Sequence, residues 1–156
     1  LRNILIENVR GTAGSWVASS ITGVRNCRVR NVTLRNIHIV CKGAGDSAAE
    51  RDRPVPENEG KYPDPDIFRC MLPAWGLYAR HVDGLTLDNV TFELRSGETD
   101  ARERYVFDDV TRLVGNSGPG TYFVPPEGTA NVTDNGGTTT GASRGSSRFW
   151  AGRLRR

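Results

Sequence analysis

No apolar run in this 156-residue sequence exceeds a few residues. That excludes a membrane-spanning helix, which needs about 20 consecutive apolar residues. Cysteine is scarce: Cys27, Cys41 and Cys70 are too few, and odd in number, for a disulfide scaffold. They also lack the paired C-x-x-C spacing of a structural zinc site. No basic-then-apolar leader follows Leu1, so a signal peptide, if the protein has one, is expected upstream of this segment. An excess of basic charge on the body is missing too. Residues 1–114 carry 16 Lys and Arg against 16 Asp and Glu, and the whole formal charge of +3 comes from five arginines against Glu127 and Asp134 in residues 115–156. A nucleic-acid binder shows its basic face on the folded part, so neither nucleic acid nor a membrane is expected as a partner. With 37% hydrophobic and 25% charged residues, the composition is that of a globular chain of about one domain.

What is present is a short repeat. Apolar and polar residues alternate, then an Asn or Asp breaks the alternation, then the alternation resumes. The pattern runs through Ile4–Val9, Val32–Ile39 and Leu85–Phe92, with a looser copy at Tyr105–Val110. Alternation is the mark of strands with one buried face. A residue that tolerates left-handed backbone suits a bend between two short strands, which places Asn8, Asn36, Asn89 and Asp109 at equivalent bends. Ile4, Ile6, Val32, Leu34, Leu85 and Leu87 should then line one interior. The intervals between bends are 28, 53 and 20 residues, so the middle one holds an excursion of about 30. Lys42–Pro73 contains five of the eight prolines, at 54, 56, 63, 65 and 73, a density that excludes regular helix or central strand. One short helix within Asp46–Arg53 is compatible with the pattern. Strands stacking at intervals of 20–28 residues, with no helical stripe elsewhere, predict an all-β parallel β-helix of about four coils over residues 1–114, with a long loop at 42–78. Residues 115–156 are rich in Gly, Ser, Thr and Asn. They are expected to be mostly disordered, with one capping strand at Tyr122–Val124.

Ser19–Gly23, Val29–Ile37, Val55–Glu59, Tyr62–Pro65, Leu72–His81 and Gly84–Val90 together resemble the C-terminal third of the polygalacturonase family of glycoside hydrolases (family 28). The resemblance spans roughly residues 1–112, and the excursion is its most specific part. It implies a right-handed, single-stranded β-helix and inverting hydrolysis of pectic polymers, galacturonan or rhamnogalacturonan. In that chemistry one carboxylic acid protonates the leaving oxygen and a second carboxylate activates water across the ring. The family's Asn-Thr-Asp, Gly-His-Gly and Arg-x-Lys motifs are missing from this sequence. The chain therefore resembles the end of an enzyme whose catalytic coils lie upstream. The parent is expected to be secreted or periplasmic, a monomer when complete, with an acidic plant-type polysaccharide or oligosaccharide as its partner. A noncatalytic carbohydrate-binding or surface-structural β-helix is the alternative.

No catalytic residue is assigned. Asp108 and Asp109 form the one paired carboxylate motif, but the bend already explains Asp109. His38, between Ile37 and Ile39, should face outward, and His81 has a structural reading. The candidate substrate-binding residues are Glu57, Tyr62, Trp75, Tyr78 and Arg80, because aromatic faces and fixed charges suit a sugar acid. Arg80, where the chain rejoins the strands, is placed to hold a substrate carboxylate. No cofactor or metal is expected: beyond Asp64 and Asp66 there is no acidic cluster for calcium. Asn31, Asn89 and Asn131 begin N-x-T triplets, which bend chemistry explains for the first two. The arginine-rich end reads as a solvated tail.

Overall fold

The computed structural model describes residues 1–51, 53–61, 68, 70–115 and 132–133. It is built from parallel strands: β1 (Arg2–Thr12), β2 (Ser19–Thr22), β3 (Val29–Cys41), β4 (Ala74–Leu94), β5 (Glu103–Val114) and β6 (Val132–Thr133). The helix content among the described residues is one turn, α1 (Ala48–Arg51), and a 3-10 turn at Glu59–Lys61. The strand order is β1-β3-β4-β5-β6, with β2 pairing beside β3 on the same edge of β4. The sheet curls into a half-barrel. β4 makes the curl plain: a Cβ on Gly76 would lie 2.9 Å from the Cβ of Phe92, 16 residues on in the same strand. A straight strand would separate them by roughly 50 Å.

The bends that produce the curl fall in columns. Asn8, Asn36 and Asn89 all have left-handed backbone and lie at one register position. Their amides form a ladder, Asn36 Nδ2 donating to Asn8 Oδ1 at 3.1 Å and Asn89 Nδ2 to Asn36 Oδ1 at 3.0 Å. A second column holds Asn3, Asn31, Gly84 and Arg112, all at positive φ. Asn31 and Asn89, which open N-x-T triplets, thus spend their amides on these columns. A third column pairs His81 with Asp109.

That third column corrects the sequence reading of Asp109. It stands one repeat after His81, 28 residues away, and is not equivalent to Asn89. The true intervals are 28, 53 and 28, so the insertion adds 25 residues and the apparent 20-residue step was a match to the wrong bend. Tyr105–Val110 resembles the other copies because every bend in this sheet is flanked by the same alternation. The loop also ends sooner than expected, since residues 74–78 open β4.

Inside the curl, Ile4, Val32 and Leu85 align, as do Ile6, Leu34 and Leu87. The core is contributed by Val32, Leu34, Val82, Leu85, Leu87, Phe92, Phe107 and Val110, all buried. Burial fades toward β1, where Ile6 is 42% exposed, because β1 is covered by β3 alone. The short helix that the sequence allowed within 46–53 is present as α1. The capping strand expected at Tyr122–Val124, and most of the tail, lie outside the described residues. The pairing of Val132–Thr133 with Val110–Thr111 falls where the composition gave no strand.

Candidate functional site

Alternation along β4 puts Leu77 and Ala79 inward and Tyr78 and Arg80 outward, where the loop crosses. Register sets Ser20, Tyr78 and Val106 in one outward row and Thr22, Arg80 and Asp108 in the next. The loop residues Val55, Phe68 and Leu72 pack with Ala18, Ala74, Tyr78 and Val106 into a second apolar cluster. Phe68 meets the Tyr78 ring edge-on, with centroids 6.0 Å apart. Tyr78 is fully buried, and its hydroxyl donates to Asp108 Oδ2 at 3.0 Å. Burial and the neighbouring Asp108 carboxylate push the phenol's pKa up.

Arg80 fastens the loop to the strands. Its Nη1 donates to the carbonyls of Val55 and Pro56 at 2.9 and 3.3 Å, and its Nη2 to Glu57 Oε1 at 2.7 Å. Its Nε lies 3.2 Å from Asp108 Oδ2 without hydrogen-bond alignment, so charge alone holds that contact. With a side chain 12% exposed, the guanidinium points its donors inward to the loop.

His81 continues the network one residue on. The left-handed bend turns its ring between two carboxylates: Nδ1 is 2.6 Å from Asp109 Oδ2 and Nε2 is 3.0 Å from Glu57 Oε2. Histidine is among the few non-glycine types enriched in this backbone region. The turn between β2 and β3 supplies two more cations. Six residues separate these strands, where β4 passes the same corner with His81 alone. The extra length carries Arg25 and Arg28. Arg28 Nη1 donates to Asp109 Oδ2 at 2.6 Å, and its Nη2 to the carbonyls of Asp109 and Val82. Arg25 Nη2 lies 3.2 Å from Glu57 Oε1. The turn fits because Gly23 lies against the His81 carbonyl, where an added Cβ would sit 2.6 Å from that oxygen.

Electrostatically the cluster is closed. Burial works against ionising Glu57, but the His81 hydrogen bond, the Arg80 charge and the Arg25 hydrogen bond outweigh it, and the pKa is lowered. Asp109 behaves likewise, with burial opposed by Arg28 and His81. Glu57, Asp108 and Asp109 therefore face Arg25, Arg28 and Arg80, carboxylate for guanidinium. Such a cluster fixes a loop, and its carboxylates are committed to partners rather than held ready for proton transfer.

A buried pair ties down the loop's ends. Arg102 and Asp100 have no exposed side-chain surface and meet at 2.7 Å. Arg102 donates to the carbonyls of Leu72, Ala74 and Trp16, and Asp100 accepts from Ala44 N–H and the Ser47 hydroxyl. Burial opposes the Asp100 charge, yet the Arg102 and Ser47 hydrogen bonds pull its pKa down to about 2.

Of the candidate residues read from the sequence, Glu57, Tyr78 and Arg80 come together, bridged by Asp108. Trp75 stands apart: it faces the interior cluster, buried, with the Arg104 guanidinium 5.3 Å from its ring centroid. Tyr62, Asp64 and Asp66 lie outside the described residues. Sequence reasoning missed the bridging roles of His81 and Arg28 and the Asp100–Arg102 tie. The 28-residue interval from His81 to Asp109 was the one signal that could have exposed the first. Comparison of the chain with family models, with known proteins and with solved structures gave no match.

Proposed function

We propose that this chain is the C-terminal part of a right-handed, single-stranded parallel β-helix belonging to a glycoside hydrolase of the polygalacturonase type, which cleaves pectic polymers by inverting hydrolysis. The observation that carries this reading is the 28-residue parallel register found on both sides of the insertion, with a long loop clamped across the outer face. Stacked left-handed Asn columns and a curled apolar interior support the β-helix. The strings that resemble the family fall on the repeat strands, the loop and the strand that follows it.

Inverting hydrolysis needs two carboxyl groups roughly 6.5–9.5 Å apart, with room between them for water and a sugar. Glu57, Asp108 and Asp109 are each engaged by cations or a phenol at hydrogen-bond distance. The catalytic pair is therefore assigned to coils preceding this segment, and the segment alone turns over nothing. The loop serves as one wall of the cleft. Glu57, Tyr78 and Arg80 set its position, and the substrate is an acidic polysaccharide met outside the cell or in the periplasm.

The test is to express the gene product with its upstream coils and assay polygalacturonate and rhamnogalacturonan, following the anomer first formed by NMR. Inverted product from the longer protein and none from this chain is the expected result. The same closed ion network also favours a second reading, a noncatalytic carbohydrate-binding or surface-structural β-helix. Oligosaccharide binding without turnover by the longer protein would select it over the first.

A further inference from the structure

A second feature lies away from the loop. Just past the Asn ladder, Arg10, His38 and Thr91 occupy one outward row at matching register on β1, β3 and β4. With Asn8, Asn36 and Asn89 they line an open groove of about 680 Å³, which Ile37 also borders. It shares no residue with the Glu57–Arg80–His81 cluster. Among the described residues the side chains of Arg10 and His38 make no hydrogen bond or ion pair, whereas Arg25, Arg28 and Arg80 are all spent on internal carboxylates. No acidic residue lines the groove. Across the bend, Glu7 and Asp88 flank Arg35 at 3.6 and 3.1 Å, which offsets one of their two charges. Glu93 stands two residues beyond Thr91 on the outward side of β4.

We infer that this groove is an ancillary binding site for a linear uronate oligosaccharide. Its asparagines repeat at the strand spacing of about 4.8 Å, so an extended polymer lying across the strands meets one asparagine at each step. The ladder uses one amide hydrogen of Asn36 and one of Asn89, leaving the second hydrogen of each for a sugar hydroxyl. Arg10 offers the planar fork that suits a carboxylate. No Phe, Tyr or Trp lines the groove, so it lacks the broad platform on which single-stranded nucleic acid stacks. The choice of a uronate rests on the glycosidase reading; the presence of an anion-accepting groove does not.

The test is calorimetric titration of the full 156-residue chain with a galacturonate oligomer, a neutral oligosaccharide of equal length and a single-stranded DNA. Binding of the uronate alone is expected, weakening as salt is raised to about 0.15 M. Arg10→Ala should reduce affinity about tenfold, and adding His38→Ala should reduce it further. Arg53→Ala, the same loss of charge on the loop, should leave it unchanged. Absence of uronate binding, equal loss from Arg53→Ala, or DNA binding with the same dependence on Arg10 would each overturn the inference. None of these outcomes depends on whether the longer gene product hydrolyses pectin, so the two readings fail separately.

Discussion

His81 Nδ1 lies 2.6 Å from Asp109 Oδ2, and the two residues occupy the same left-handed bend one repeat apart. Where the neighbouring bends stack Asn on Asn, this one stacks an imidazole on a carboxylate. The longer side chain reaches past Asp109's column to Glu57 on the loop. A bend position has thereby become the joint between the sheet and its insertion.

His81→Asn separates those two jobs. Asn tolerates the left-handed backbone and keeps the bend, but it is too short to span from Asp109 to Glu57. Limited proteolysis should therefore cut within Lys42–Pro73 faster than in the parent. Thermal unfolding of the sheet should change little. Unaltered proteolysis would show that His81 does not hold the loop.

Arg80→Ala removes hydrogen bonds to two carbonyls and to Glu57, and leaves Asp108 without its cation. The expected cost is about 2–4 kcal/mol in urea unfolding. Arg80→Lys should restore less than half of that, because one ammonium cannot replace a fork that bonds three acceptors.

Ile6, Leu34 and Leu87 share one inward row, with exposures of 42%, 5% and 1%. Truncation to Ala should cost least at Ile6 and most at Leu87, about 3 kcal/mol or more there. Equal costs at all three positions would mean that β1 is covered in solution.

Acid should loosen the loop before neutral or alkaline pH does. Glu57, Asp109 and Asp100 all have pKa values lowered on folding. The unfolded chain therefore takes up protons first as pH falls, and folding loses free energy. The contribution is complete above the ordinary carboxylate range. It declines below about pH 4, and the Asp100 share persists until about pH 2. Asp100→Asn should remove about 2 kcal/mol of that dependence from a stability–pH curve. A curve identical to the parent's would place Asp100 outside the linkage.

The elements that depend on local chemistry were legible in the sequence. Alternation gave the strands and their inward rows, because burying one face of a strand demands a period of two. Asn8, Asn36 and Asn89 marked bends, because few other side chains accept that backbone. Proline density outlined the insertion. The rest depended on contacts between distant parts of the fold. Asp109 looked like one more Asn-type bend, and register alone showed that its partner is His81. Trp75 and Tyr78 read alike as aromatic residues at a loop's end, yet Trp75 turns into the core and Tyr78 lies under the loop, since their facing depends on where β4 begins. Arg80 read as a hand for substrate, and its use as a loop fastener depends on Val55, Pro56 and Glu57, brought to it over some 25 residues of chain. Pairings at that range are set by packing the whole loop against the sheet, and no local pattern encodes them.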